Sequence, residues 1–278
     1  MKIQFLGTGA AEGVPAMFCS CEYCENIRKI GKSEFRTRTQ VIIDGKISID
    51  FPPEAFAHSL EYGVNLSKIT RLFVTHSHMD HFYAHDFVLR GYKYAKFDET
   101  PLTIYGNSEV KAVFDECTAR EMRGEVAKNI VFKQLAPFCT LEADGYRVCT
   151  LPANHKTKEQ SLLYYMEREG KGYLHLYDTH VIGDNCFEFL KSLGAKVSLV
   201  AFDCTFADGK SNENSRHMGI WDDMQLKEKM LSCGIADENT KYVITHFSHN
   251  CNPLRSRLKQ IEENFGVIAA YDGMEIEI

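Results

Sequence analysis

The chain has 278 residues, 44% hydrophobic and 25% charged, with a formal net charge of -6. This is the balance of a soluble globular protein long enough to bury a large core, and it argues against a dedicated nucleic-acid binder, which carries a basic surface. No stretch approaches the roughly 18 apolar residues of a membrane span, and Met1–Gly7 meets Gly-Thr-Gly too soon for a secretory signal. The expected setting is the cytoplasm, where the ten cysteines are not read as a disulfide framework.

In chain order, short β-rich runs come first: Lys2–Leu6, Thr39–Ile43, Lys46–Asp50 and Arg71–Thr75. Asp44-Gly45 between two apolar runs is a hairpin signal. Leu102–Tyr105, Tyr146–Leu151, Leu162–Glu167 and Tyr173–Tyr177 follow, the last two joined by Glu169-Gly170-Lys171-Gly172. Val197–Phe202, Tyr242–Thr245, Val267–Tyr271 and Met274–Ile278 complete the strands. Helical periodicity predicts Pro53–Tyr62, Glu109–Met122, Asn185–Leu193, Asp222–Ser232 and Leu254–Asn264 between them. About a dozen strands interleaved with helices predict a layered α/β protein with helices outside the sheets. Without repeats, low-complexity tracts or linkers, residues 1–278 are expected to form one domain.

The densest chemistry is His76-Ser77-His78-Met79-Asp80-His81, directly after the apolar run Leu72-Phe73-Val74-Thr75. A loop at a strand end can turn several side chains toward one point. Three imidazoles and a carboxylate suit Zn²⁺, Mn²⁺ or Fe better than Ca²⁺ or Cu(I). So short a run cannot complete two metal shells, so further ligands are expected at other strand ends. His155, Asp178 and His246 each follow an apolar run and are the candidates.

Cys19-Ser20-Cys21-Glu22-Tyr23-Cys24 forms a second cluster, a knuckle lacking one ligand of a closed tetrahedral Zn²⁺ site. His249 is placed to supply it, and Cys251 is a rival. Such a site would be structural, tying an N-terminal loop to the rim of the centre.

His-x-His-x-Asp-His with the later His, Asp and His resembles the metallo-β-lactamase superfamily, an αββα sandwich of two central mixed β-sheets flanked by helices. The resemblance implies a binuclear site: His76, His78 and His155 on one metal, Asp80, His81 and His246 on the other, Asp178 bridging. The implied nucleophile is a metal-bridging hydroxide, and Asp80, the alternative as a general base, would be ionised and occupied as a ligand. Gly7-Thr8-Gly9 leading into the cysteine knuckle is similar to one branch, that of the cyclic phosphodiesterase in bacterial phosphonate breakdown by the carbon–phosphorus lyase pathway. Asn154-His155-Lys156, Asp178-Thr179, Asp203-Cys204, Thr245-His246-Phe247-Ser248-His249 and Asp272-Gly273-Met274 extend that similarity over nearly the whole chain. It implies hydrolysis of phosphodiesters of the phosphoribosyl 1,2-cyclic phosphate type. A further histidine assists catalysis in that branch, and Ser215-Arg216-His217-Met218 matches it loosely, making His217 the candidate general acid or hydrogen-bond donor to the phosphate. Met218–Trp221 and Asp50–Glu54 depart from the branch pattern and bear on substrate identity.

The expectation is therefore a metal-dependent phosphodiesterase with two active-site divalent metals (Mn, Zn or Fe) and one structural Zn. Its partner would be a small cyclic or nucleotide-like phosphate, with nucleic acid and membrane disfavoured and a homodimer left open. Alternatives are a tRNA 3′-processing nuclease, a carboxylic ester or lactone hydrolase, and a non-catalytic relative of the quinone-cofactor biosynthesis protein. The retained ligand set disfavours the last.

Overall fold

The computed structural model describes residues 1–96, 100–155 and 158–278, so that Lys156 of the Asn154-His155-Lys156 motif lies outside the described residues. One sheet holds β1 (Lys2–Gly7), β2 (Gln40–Ile43), β3 (Ile47–Ile49), β4 (Arg71–Phe73), β5 (Leu102–Gly106), β6 (Ile130–Gln134) and, returning from the far end of the chain, β14 (Met274–Glu277). The other holds β7 (Thr140–Ala143), β8 (Tyr146–Pro152), β9 (Leu162–Arg168), β10 (Lys171–Leu176), β11 (Leu199–Asp203), β12 (Lys241–Thr245) and β13 (Ile268–Ala269). Each sheet has seven strands, in the orders β14-β1-β2-β3-β4-β5-β6 and β13-β12-β11-β10-β9-β8-β7.

Alternation of side chains across each strand produces the layers. In β9, Leu162, Tyr164 and Met166 join Phe5, Val41, Ile49 and Phe73 of the first sheet in one inter-sheet core. The intervening Leu163 and Tyr165 face the other way, toward α5 (Asp184–Ser192), α6 (Ile220–Cys233) and α7 (Arg255–Phe265). On the outer face of the first sheet, Ile42, Leu72 and Ile104 pack with Val110 of α3 (Ser108–Thr118). Each fully buried aliphatic or aromatic side chain contributes about 1.5–3 kcal/mol, so the strands are held chiefly by burial on both faces. The result is the expected αββα sandwich of two mixed sheets. Among the described residues, no helix is long and apolar enough to cross a membrane.

Both sheets run parallel in the half that matters for chemistry. β3 through β6 are parallel, as are β10 through β13. Register pairs Leu176 with Phe202 and Asp203 with Thr245, so the loops leaving β10, β11 and β12 emerge side by side.

The sequence reading missed β6, β7, α1 (Glu22–Ile30) and the one-turn α4 (Gly124–Ala127). Both β6 and β7 are half-exposed edge strands; β7 is polar-laced, and β6 carries only the three-residue apolar run Ile130–Phe132, too short to define a strand on its own. In α1 only Cys24 and Ile27 are buried, and Cys21 caps the helix by accepting the Cys24 N–H. The Asp44-Gly45 turn is present, with positive φ at both residues and Lys46 N–H donating to Ile43 O at 3.0 Å, in a loop of residues 44–46 between the paired Ile43 and Ile47. Gly7 is required by close approach: a Cβ there would lie 2.0 Å from the Arg38 carbonyl oxygen. The following loop brackets Phe247, with Phe247 N–H donating to Thr8 O at 2.9 Å and Ala10 N–H to Phe247 O at 3.0 Å.

His58, on α2 (Ala55–Glu61), is buried, with Nδ1 2.8 Å from Gln40 Oε1 and Nε2 2.8 Å from Thr37 Oγ1. Burial depresses its imidazole to about 4 from 6.5. The unfolded imidazole protonates near 6.5, so between 6.5 and 4 the unfolded chain binds the extra proton and stability falls as pH falls. We expect this group to remove up to about 3 kcal/mol of unfolding free energy across that window. Imidazole ¹⁵N shifts should show His58 still neutral at pH 5, and titration near 6.5 would contradict its placement.

Candidate metal centre

The site is assembled from loops at strand ends. β4 delivers His76–His81, β8 leads to His155, β10 to Asp178, β11 to Asp203 and β12 to His246. Asp178 and His246 have φ of 50° and 62°, in the left-handed region that residues with a Cβ seldom adopt. Asp50, in the segment that departs from the branch pattern, has φ 61°. Backbone strain of this kind concentrates where surrounding structure imposes it, commonly at functional sites.

Four of the imidazoles, those of His81, His246, His76 and His155, are turned by a partner on the outer nitrogen. His81 Nδ1 lies 2.6 Å from Asp50 Oδ2, which leaves Nε2 for the centre. His246 Nδ1 meets Thr205 Oγ1 at 2.8 Å, His76 Nδ1 meets Thr75 Oγ1 at 3.0 Å, and His155 Nδ1 faces the Arg216 carbonyl at 3.5 Å. Such outer contacts fix ring orientation and tautomer at metal sites. Asp50 also accepts the Thr75 N–H at 2.8 Å, which is why β4 ends before the length expected from sequence.

The inner nitrogens converge on Asp178. Its Oδ2 is 2.8 Å from His81 Nε2, 3.3 Å from His76 Nε2 and 3.7 Å from His155 Nε2, and its Oδ1 is 3.2 Å from His246 Nε2. Yet His81 Nε2, His155 Nε2, His246 Nε2 and Asp178 Oδ1 are buried and form no hydrogen bond. Buried polar atoms without partners cost free energy, so four of them aimed at one place call for a cation. The potential ligand atoms of His76, His78, His155 and Asp178 lie within 4.8 Å of one another, as do those of Asp80, His81, Asp178 and His246. The two sets share Asp178. Every residue the sequence nominated for the centre is therefore brought to it, and imidazole with carboxylate is a donor set that fits divalent transition ions.

Electrostatics agree with this arrangement. Burial would raise the Asp178 carboxyl, but His246 and His81 hold it well below the usual range. Burial likewise opposes ionisation of Asp80, which the neighbouring His81 keeps low. Burial lowers His155 to about 4, leaving a neutral ring with a lone pair to offer.

His217 sits against the same centre. Its Nδ1 is 2.9 Å from Asp203 Oδ2 and 3.1 Å from Asp178 Oδ1. Asp203, noted in the sequence only as part of a matching dipeptide, and Asp50, noted only as a departure, turn out to hold His217 and His81. Neither has a ligand-like spacing, so pattern reading had no signal for these roles.

The cysteine cluster is also assembled. The ligand atoms of Cys19, Cys21, Cys24 and His249 lie within 4.8 Å of one another, and His249 rather than Cys251 belongs to the group. His249 Nδ1 is 3.3 Å from Cys24 Sγ and 4.0 Å from Cys21 Sγ. Backbone N–H groups of Cys21, Cys24 and Ala16 each point at a sulfur at 3.4 Å. The Cys24 amide is the main cause of the Cys21 thiol's fall to about 6.

Residues 40–255 match the family model described as the beta-lactamase superfamily domain. The chain belongs to that superfamily. Ribonuclease Z of Lactobacillus helveticus is 28% identical over 158 residues, covering 56% of this chain and 46% of that protein. Ribonuclease Z of Bacillus licheniformis is 26% identical over 156 residues, with the same coverage of 56% and 46%. The chain thus spans about half the length of these curated relatives. Among solved structures, a diphosphatase from the PhnP family gives a TM-score of 0.72 at 20% identity, covering 100% of this chain and 97% of that one. Zn²⁺-bound PqqB from Methylobacterium extorquens gives 0.69 at 17% identity, with 100% of both chains covered. Human tRNase Z, short form, gives 0.68 at 18% identity, covering 100% and 99%. At these identities the structural likeness is one of fold.

If Cys19, Cys21, Cys24 and His249 hold zinc, Cys21→Ser should lose one equivalent and lower the melting temperature by about 5–10 °C, the effect of a few kcal/mol in a chain of this size. Cys251→Ser should keep that equivalent. Metal analysis and thermal unfolding decide it, and a Cys21→Ser protein with full zinc and unchanged melting removes the assignment.

Proposed function

We propose that this chain is a metal-dependent hydrolase of a small cyclic or nucleotide-like phosphodiester. The observation carrying the proposal is the pair of donor sets that share Asp178, with their buried, unpartnered imidazole nitrogens. In this reading His76, His78 and His155 hold one divalent cation, Asp80, His81 and His246 hold a second, and Asp178 reaches both. Bound cations would supply an activated water and offset charge on the phosphoryl oxygens. Mn, Zn and Fe suit this mixed shell, and Zn suits the cysteine cluster. Free cysteines throughout fit a cytoplasmic, reducing setting.

The protein's own contribution is orientation and one proton. Asp50, Thr75 and Thr205 hold the rings that face the cations. His217 reaches solvent: its side chain is 25% exposed, against 0–9% for His76, His81, His155 and His246. Burial disfavours its charged form, but Asp203 and Asp178 outweigh that and push it up to about 11. With Nδ1 committed to Asp203, Nε2 carries the proton that can pass to a departing alkoxide oxygen.

A tRNA 3′-processing nuclease is the second reading, favoured by the likeness to the two ribonucleases Z. The net charge of -6 weighs against it, because binding a polyanion relies on basic surface.

The test is metal analysis beside a panel of cyclic and linear phosphodiesters, an aryl phosphodiester, a lactone and a tRNA precursor. Turnover of a cyclic phosphate is expected, and His78→Ala or Asp80→Ala should abolish it together with metal uptake. His217→Ala should retain its metals and lose about 10²–10⁴-fold in kcat. A fully loaded protein inert toward every phosphodiester overturns the proposal, and salt-sensitive cleavage of the tRNA precursor alone selects the second reading.

A further inference from the structure

We infer that Glu159 is a positioning residue that sets the spacing between the metal-facing loops of the two sheets, an inference that rests on the metal centre proposed above. Glu159 is 6% exposed and lies in the loop between β8 and β9, the loop that also carries His155. Its Oε1 accepts the Ser77 backbone N–H at 2.8 Å and an Asn107 Nδ2 hydrogen at 2.8 Å, and its Oε2 accepts the Ser77 hydroxyl at 2.7 Å.

Ser77 stands between His76 and His78. Asn107 is the N-cap of α3, accepting the Val110 N–H on Oδ1 at 3.0 Å while Nδ2 also donates to the Gln160 carbonyl at 2.9 Å. One buried carboxylate therefore ties a loop of the second sheet to two points on the first. Two further hydrogen bonds join these segments lower down, on the strand that feeds the loop. Leu162 N–H donates to Thr75 O at 2.8 Å, and Tyr164 OH donates to Val74 O at 2.6 Å. Those grip the strand feeding the loop, whereas Glu159 grips the loop itself.

The consequence falls on one donor set. His76, His78 and His155 come from both sides of this clamp, with ring centroids of His155 4.9 Å from His76 and 5.3 Å from His78. The set of Asp80, His81 and His246 does not depend on the β8–β9 loop. Loss of the clamp should thus loosen one cation site and spare the other.

Cobalt(II) titration of the chelator-stripped full chain against a competing chelator, read by visible absorption, separates the equivalents. Wild type should take two at the histidine–aspartate centre, apart from one at the cysteine cluster. Glu159→Ala should weaken one central equivalent by about 10–100-fold, the range for outer partners of metal ligands, and leave the others at wild-type affinity. Glu159→Gln should recover most of that loss, because its amide oxygen still accepts the Ser77 N–H. Should Glu159→Ala fail to fold, Ser77→Ala deletes one contact of the clamp and should weaken the same equivalent to a smaller degree. Unchanged affinities in whichever variant folds, or equal weakening of all equivalents with a lower melting temperature, overturn the inference. A wild-type chain that takes no cobalt at the centre instead overturns the proposed function, whatever Glu159 does.

Discussion

The constraint on which the rest depends is the burial of the Asp178 carboxylate among imidazoles supplied by both sheets. A carboxylate that is 3% exposed is stable only with positive charge or several donors around it. The fold meets this need by ending parallel strands of both sheets at one rim. Register between β10, β11 and β12 sets Asp178, Asp203 and His246 beside one another, and the loop after β4 reaches them from across the sandwich. The inter-sheet core below, dominated by Phe73, Tyr164, Tyr173 and Tyr177, keeps the two rims in fixed relation.

Much of this arrangement was legible in the sequence, for reasons that differ between parts. The metal-facing residues could be named because each follows an apolar β-run, and strand ends are where a layered fold gathers side chains. The cysteine knuckle was legible from tight spacing. What lay outside reach was pairing. Nothing in the local pattern says that Asp50 will turn His81, that Asp203 will hold His217, or that Glu159 will meet Ser77, since those contacts join distant segments. The missed strand β7 has a different cause: an edge strand buries one face at most, so its Thr-Leu-Glu-Ala looks like a polar loop.

Residues 50–54 illustrate how a departure from a family pattern can be absorbed. A left-handed backbone at Asp50 is costly for a residue with a Cβ, although Asp tolerates it better than most. Here the carboxylate compensates by accepting the Thr75 N–H and holding His81. The same residue thus fixes the start of the metal loop and the orientation of its last histidine, which couples local strain directly to site geometry.

The electrostatic balance of the centre bears on how an acidic chain would serve the phosphorylated substrate proposed for it. Asp50, Asp80, Asp178 and Asp203 are all buried within it, a concentration of negative charge that a phosphate would avoid. Without cations, protons take their place: despite burial, the surrounding carboxylates raise His81 and His217 well above the ordinary imidazole range. Binding of divalent cations at His81 must displace that proton, so cation affinity and proton uptake oppose each other. His217 holds its proton through Asp203, whose carboxylate is not needed by either proposed cation set. The centre can therefore exchange protons for cations at one histidine while keeping a proton at another, the two states that the proposed phosphodiester hydrolysis would use.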